Sequence, residues 1–236
     1  CPVDAYRGAG RPEAAFLIEK LVDACARDLG LGVEEIRRRN FIRPEQMPYR
    51  TQTGRTYDTG EFDGHMTRAL EKADWAGFEG RLAASKAAGK LRGIGLATYI
   101  EACAFPGSEP AFVRLETDGT VTMRIGTQSN GQGHATAYAQ FVAEKLNVDI
   151  SRIKVEQGDT DQLKSGGGTG GSRSIPIGGV SAARAGENLA EKLRKLAADE
   201  LEASAADIEL VDGEARIVGT DRSITFAALA QAAKEP

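Results

Sequence analysis

Apolar side chains recur at helical spacing through the first ninety residues of the chain. Between residues 12 and 29 they follow the spacing of one helix face, which predicts an amphipathic helix with Pro12 in its first turn and Gly30 at its end. The predicted buried face of this helix consists of Phe16, Leu17, Leu21, Ala24, Cys25 and Leu29. Further helices are predicted at 33–41, 62–73 and 76–88, with an irregular connection rich in Pro and Gly at 43–60.

The periodicity changes after Gly93. Short strands are predicted at 93–102, 110–117 and 120–127, and Asp118-Gly119 is a hairpin turn signal between the last two. The rest of the chain predicts a helix at 132–147, a strand at 153–156 and a long Ala-rich helix at 180–203. Two hairpin strands are predicted at 208–211 and 215–218, followed by a final helix that Thr225 caps. The pattern therefore predicts an α+β fold in two parts, a helical part at 1–90 and an α+β part at 91–236, with short mixed or antiparallel sheets packed against helices.

Composition narrows the class of protein. The 236 residues are 41% hydrophobic and carry a net charge of −4, which excludes a disordered, collagenous or coiled-coil chain and a strongly basic nucleic-acid binder. No apolar run approaches the ~20 residues that a membrane-spanning helix needs. The three cysteines lack Cys-x-x-Cys spacing, so neither a disulfide framework nor a thiolate metal site is predicted, and Cys25 is interpreted as a small buried hydrophobe. Because the chain begins Cys1-Pro2-Val3-Asp4 without a basic or apolar leader, we expect a cytoplasmic protein and a piece of a longer chain.

Ten of the 28 glycines lie in three clusters where elements meet. The first glycine cluster is residues 5–12, the second is residues 126–134, and the third is residues 165–174. Each cluster precedes a predicted helix, so exposed backbone N–H groups and the positive end of the helix dipole favour anionic oxygens there. The residues alone leave three readings open: a cofactor site, a non-catalytic nucleotide- or phosphate-binding module, and an interaction domain in which the glycines serve only turns.

The three clusters together resemble the large, molybdenum-binding subunit of the xanthine dehydrogenase/aldehyde oxidase/carbon monoxide dehydrogenase family, and its aerobic carbon-monoxide-dehydrogenase-like branch fits best. The residues that carry the resemblance are Ala5–Ala14, Gly126–His134 with Tyr138-Ala139-Gln140, Gly158–Asp161 and Gly168–Ser174. The resemblance implies that residues 1–90 end one molybdopterin-binding domain and that residues 91–236 begin a second.

Enzymes of this family oxidise an electrophilic carbon with water, and the molybdenum is held by the dithiolene of a pyranopterin. The resemblance implies a cytosine dinucleotide form of this cofactor and an aldehyde, an N-heterocycle or a similar compound as substrate. No protein side chain is then a metal ligand. The cofactor-binding residues that the resemblance implies are Arg7, Gly8, Ala9, Gly10, Gly131, Gln132, Gly133, His134, Gly170, Gly171, Ser172, Arg173 and Ser174.

The resemblance also indicates what this chain lacks. The family's general-base Glu belongs to a segment expected beyond Pro236, so no catalytic residue is assigned here and the chain alone is expected to be inactive. The implied partners are the remainder of the large subunit, a medium subunit with FAD and a small subunit with 2Fe-2S clusters. Carbon monoxide dehydrogenases hold copper with a Cys in the first cluster. Gly8 stands at that position, so copper chemistry is not implied.

Overall fold

A computed structural model describes residues 6–233, and the chain divides into two compact units, residues 1–100 and 101–236. The sequence pattern placed the division at about residue 90. The sequence predictions that concern Cys1 to Ala5 lie outside the described residues.

The first unit is mainly helical. Its helices are α1 (Arg11–Asp28), α2 (Val33–Asn40), α3 (Phe62–Lys72) and α4 (Phe78–Ala87). Inside the connection between α2 and α3, two short strands pair antiparallel, with Tyr49 opposite Tyr57. These strands are β1 (Tyr49–Arg50) and β2 (Thr56–Tyr57). The predicted helix bounds in this unit are confirmed to within about two residues, which is the usual uncertainty of helix ends.

A buried arginine ties α1 to α2. Arg37 on α2 is 3% exposed, and its Nη2 donates to Glu19 Oε2 at 2.8 Å and Asp23 Oδ1 at 2.9 Å. Glu19, Asp23 and the buried Ala26 are spaced at i, i+4 and i+7, so they form the face of α1 that meets α2. The predicted buried face of α1 is therefore wrong: the side chains that lie exposed instead are Phe16, Leu17, Leu21, Cys25 and Leu29.

The predicted strand at 93–102 is also wrong, since that range contains no strand. Its backbone groups bond to side chains of the helices instead. The carbonyl of Leu96 accepts from Arg37 Nη2 at 3.0 Å, and the N–H of Thr98 donates to Glu19 Oε2 at 3.0 Å. A backbone whose polar groups are satisfied in this way does not need a neighbouring strand.

Within its described residues, 101–233, the second unit contains two three-stranded sheets and three α-helices. The first sheet is β3 (Ala111–Leu115), β4 (Val121–Ile125) and β5 (Ile153–Gln157), and the second is β6 (Ile208–Val211), β7 (Glu214–Ile217) and β8 (Ser223–Thr225). Strands β3 and β4 are antiparallel, β4 and β5 are parallel, and the second sheet is antiparallel throughout. The helices are α5 (His134–Leu146), α6 (Val180–Leu201) and α7 (Phe226–Ala232). The predicted α+β class with short mixed sheets is confirmed, and β8 is an element that the pattern did not predict.

The core of the second unit lies between β4, α5 and α6. The residues of this core that are under 2% exposed include Val121, Met123, Ile125, Tyr138, Val142, Leu146 and Ala182. Helices α5 and α6 approach closely, because a Cβ added at Gly186 would lie 3.3 Å from the Cα of Val142. This packing holds the end of β4 and the start of α5 in place, and the second glycine cluster connects them.

No helix within residues 6–233 combines the length and the apolar character that crossing a membrane requires.

Candidate functional site

The first cluster forms a tight turn that leads into α1. The N–H of Ala9 donates to the carbonyl of Tyr6 at 2.7 Å, and Gly8 and Gly10 have φ of +104° and +88°. Those angles favour glycine, and a Cβ at Gly8 would lie 2.9 Å from Pro12 Cγ. All four residues predicted to bind cofactor here are exposed: Arg7, Gly8, Ala9 and Gly10.

The second cluster runs from the end of β4 to the start of α5. Gly131 and Gly133 have φ of +98° and +76°, and Gly133 is the residue that precedes the first turn of α5. The Oε1 of Gln132 accepts from the N–H of Asn130 at 2.5 Å, which orients the carboxamide within its own loop. His134 is only 3% exposed, so it belongs to the packed start of α5.

A buried tyrosine joins the second cluster to the third. The hydroxyl of Tyr138 on α5 lies 2.6 Å from Thr127 Oγ1 and donates to the carbonyl of Ser174 at 2.9 Å. Tyr138 and Thr127 are both fully buried. Burial raises the pKa of the Tyr138 phenol, the two hydrogen bonds oppose this effect, and the negative charge of Glu109 adds to it. The linkage holds Thr127, in the second cluster, against Ser174, at the end of the third.

The third cluster passes into α6 through a π-helical turn, Ser174–Gly179. Gly170, Gly171 and Ser172 are exposed, whereas Ser174 is buried. Gly171 and Ser172 both have left-handed backbones, with φ of +58° and +50°. A left-handed serine costs conformational energy, so neighbouring contacts must hold it there.

The 101–109 segment makes those contacts. The N–H groups of Ala104 and Phe105 donate to the carbonyls of Ser172 and Gly171 at 3.0 and 3.2 Å. The hydroxyl of Ser172 donates to Glu101 Oε1 at 3.2 Å. Residues 170–172 are the exposed tip of the third cluster. Backbone and side-chain hydrogen bonds thus hold this tip against the 101–109 segment.

Glu109 is a residue that the sequence reasoning missed. Its side chain is fully buried, its Oε2 accepts from the N–H of Gly167 at 2.7 Å, and Arg173 Nη2 lies 3.9 Å from the same oxygen. Arg173 also donates to the carbonyl of Gly168 at 3.3 Å. The guanidinium therefore points into the loop. A glutamate beside Pro110 gives no sequence signal of burial, because glutamates are rarely fully buried.

The two clusters of the second unit touch directly at their glycines. A Cβ at Gly126 would lie 2.6 Å from Glu109 Oε1 and 2.9 Å from the Cα of Gly166. A side chain at Gly126 would thus collide with both the carboxylate and a backbone. The hydroxyl of Thr169 donates to the carbonyl of Gln128, which adds another link between the clusters.

A separate open cleft of about 780 Å³ lies beside residues 165–167 of the third cluster. Its lining consists of Gly107, Ser108, Glu109, Pro110, Ser165, Gly166, Gly167, Pro176, Ile177, Val180, Ser181 and Arg184. None of the thirteen predicted cofactor-binding residues lines this cleft.

The second unit therefore brings together two of the three predicted groups, residues 131–134 and 170–174. Both groups precede or begin a helix and have exposed glycine backbone, so they can donate backbone hydrogen bonds to oxygens of a bound anion. The group at 7–10 belongs to the other unit.

Comparison with known proteins identifies the family of the chain. Family models described as "Molybdopterin cofactor-binding domain" match residues 68–236 and residues 1–41. The chain is 37% identical to the carbon monoxide dehydrogenase large chain of Hydrogenophaga pseudoflava, over 92% of this chain and 29% of that protein. It is 33% identical to the 6-hydroxypseudooxynicotine dehydrogenase complex subunit gamma of Paenarthrobacter nicotinovorans, over 100% of this chain and 30% of that protein.

Among solved structures, quinoline 2-oxidoreductase from Pseudomonas putida 86 superimposes with a TM-score of 0.74 and 33% identity. The match covers 98% of this chain and 31% of that one. The chain thus spans about three tenths of the length of the curated relatives it matches.

Proposed function

The chain belongs to the molybdopterin cofactor-binding domain family, which confirms the resemblance drawn from the glycine clusters, and we propose that it is part of the large subunit of a molybdenum hydroxylase. In this proposal residues 1–90 end one molybdopterin-binding domain and residues 91–236 begin the second. The whole enzyme would oxidise an aldehyde, an N-heterocycle or a similar compound with water. Electrons would pass to partner subunits that carry 2Fe-2S clusters and FAD, in the cytoplasm.

The observation that carries the proposal is the link through Tyr138. It places the turn at 131–134 and the exposed tip at 170–172 in one unit, with glycine backbone that leaves room for a ligand. Molybdopterin carries phosphate and pterin oxygens and nitrogens, and backbone N–H groups at a helix start suit the anionic oxygens. The residues present therefore fit this group. When bound, the cofactor supplies the oxidation chemistry of the enzyme.

Each proposed contact follows from the local geometry. Gln132 Oε1 accepts from its own loop, so its Nε2 amide is directed away from that bond and can donate to a cofactor oxygen. The exposed backbone N–H groups of Gly170, Gly171 and Ser172 would donate to the cofactor as well. Ser174 and His134 are buried and would support the backbone around the cofactor.

The first cluster would contribute Arg7 and the turn at 8–10. Arg7 is exposed, and its guanidinium would support binding of the cofactor's phosphate through its charge. Gly8 offers no thiolate, and a side chain there would collide with Pro12, so copper is not part of the proposal.

The experiment is cofactor analysis of the complete large subunit, purified with its partner subunits. We expect molybdenum, pterin and, after hydrolysis, cytidine monophosphate, which would identify the dinucleotide form. Gln132→Ala removes one hydrogen bond to a charged group, worth roughly 1.5–3 kcal/mol, so we expect cofactor binding to weaken about tenfold or more. The matched control is Gln231→Ala on α7, because Gln231 is exposed and lies outside the clusters.

Two results would contradict the proposal. Bound nucleotide or phosphate without molybdenum and pterin would favour a non-catalytic binding module. Molybdenum at the wild-type level in Gln132→Ala, together with a sharp fall in Tm, would make Gln132 a structural residue.

A further inference from the structure

Glu109 is the one carboxylate among residues 6–233 that is both fully buried and without a hydrogen-bond partner for one oxygen. Burial of a charged carboxylate is costly unless charges and hydrogen bonds compensate for it. Here the compensation comes from the third cluster, through the N–H of Gly167 and the guanidinium of Arg173.

Glycine residues around Glu109 leave space for its side chain. The other oxygen, Oε1, occupies the place that a Cβ at Gly126 or Gly166 would need, at 2.6 and 3.2 Å. The Arg173 guanidinium likewise fills the space that side chains at Gly107 and Gly167 would need. Four glycines therefore leave room for one ion pair, which lies between the second and third clusters.

Arg173 connects this pair to the exposed tip. Arg173 directly follows Ser172, whose left-handed backbone is part of the proposed cofactor-binding site. Holding the guanidinium toward Glu109 and the carbonyl of Gly168 fixes the direction in which the chain leaves the tip. A glycine-rich loop has much conformational freedom to lose, and a loop ordered beforehand binds its ligand more tightly.

We propose that Glu109 is a positioning residue. Through Gly167 and Arg173, it holds the third cluster in the conformation that receives the cofactor. The inference rests on the proposed function, since it names the residue that prepares that binding site. Glu109→Gln keeps the size of the side chain but places an N–H₂ group either against the N–H of Gly167 or in the pocket beside Gly126. Either orientation leaves a donor unpaired, and Arg173 loses its counter-charge.

The test uses the complete large subunit in its purified complex. Molybdenum and pterin are measured per folded subunit in the wild type, Glu109→Gln, Arg173→Gln and the double variant. Glu209→Gln is the matched control, because Glu209 lies exposed on β6. Exchange of the Gly167 amide proton is measured on the cofactor-free protein.

If the inference holds, Glu109→Gln lowers cofactor occupancy about tenfold, as loss of supporting contacts does at metal sites. The double variant is then no worse than the more affected single variant, because both substitutions break the same ion pair. The Gly167 amide exchanges faster in Glu109→Gln, and Glu209→Gln matches the wild type.

Three results would overturn the inference alone, in a wild type that carries molybdenum and pterin. The first is a fully loaded Glu109→Gln with only a lower Tm. The second is a double variant in which the two losses multiply, because Arg173 would then act independently. The third is a Glu109→Gln that fails to assemble beside a fully loaded Arg173→Gln. A wild-type complex without molybdenum and pterin would overturn the proposed function itself, and the inference with it.

Discussion

Replacement of Tyr138 by Phe tests the link between the second and third clusters. The substitution removes one oxygen and leaves the ring in the core. That oxygen is hydrogen-bonded to Thr127 Oγ1 at 2.6 Å and to the carbonyl of Ser174 at 2.9 Å. Both partner groups belong to buried residues, so water cannot replace the lost hydroxyl without opening the core.

The expected cost follows from the two partners left unpaired. A buried polar group without a partner costs about 1–3 kcal/mol, and Thr127 and Ser174 each lose one. We expect Tyr138→Phe to lower the free energy of unfolding of the second unit by about 2 kcal/mol, within that range. For a chain of this size, this corresponds to a fall in Tm of about 4–8 °C.

The assay is thermal unfolding of the 236-residue chain by circular dichroism, with hydrogen exchange to locate the effect in α5. Tyr99→Phe is the control, because Tyr99 is 75% exposed and its hydroxyl can bond to water. The double variant Tyr138→Phe/Thr127→Val should recover part of the loss, since it removes the unpaired hydroxyl as well. A Tyr138→Phe Tm within about 1 °C of the wild type would refute the reasoning, because the link would then carry no stability.

Two further predictions concern charged groups. Arg37→Gln leaves two carboxylates of α1 without their buried partner, and we expect unfolding free energy to fall by about 3 kcal/mol in urea titrations. Arg39→Gln breaks only an exposed pair and should cost about 0.5 kcal/mol or less, so equal losses would contradict the assigned role of the buried pair. The pKa of Glu156 is lowered from 4.5 to about 2 by its contacts first with Lys154 and then with Arg124. Because the folded-state pKa is the lower one, this stabilisation is complete above pH 4.5 and is lost as the pH falls toward about 2. Glu156→Gln should therefore show a shallower loss of stability over that range, and an unchanged acid profile would count against the ion pair.

Local patterns accounted for most of the elements. The periodicity that predicted α2, α5 and α6 reflects contacts within one or two helical turns, which the sequence specifies directly. The turn signals at Asp118-Gly119 and Asp212-Gly213 also lie where hairpins form, because a left-handed glycine is a local requirement.

The sequence predictions were wrong where hydrogen bonds to residues distant in sequence determined the local structure. The apolar stripe of α1 predicted a buried face, but the ion pairs of Arg37 turned the opposite face toward α2. The sequence pattern predicted a strand at 93–102, but side chains of α1 and α2 satisfied that backbone instead. In both cases the residues that form these hydrogen bonds lie far apart in the sequence.

The candidate site shows the same division. The sequence by itself determined where the glycine clusters lie, since each cluster precedes a locally specified helix. Only the tertiary structure decided that Thr127 and Ser174 meet at Tyr138, and that Glu109 is buried between two clusters. The physical reason is that burial and pairing depend on which faces pack together. Residues 58 positions apart, such as Glu109 and Gly167, leave no periodic trace of that contact in the chain.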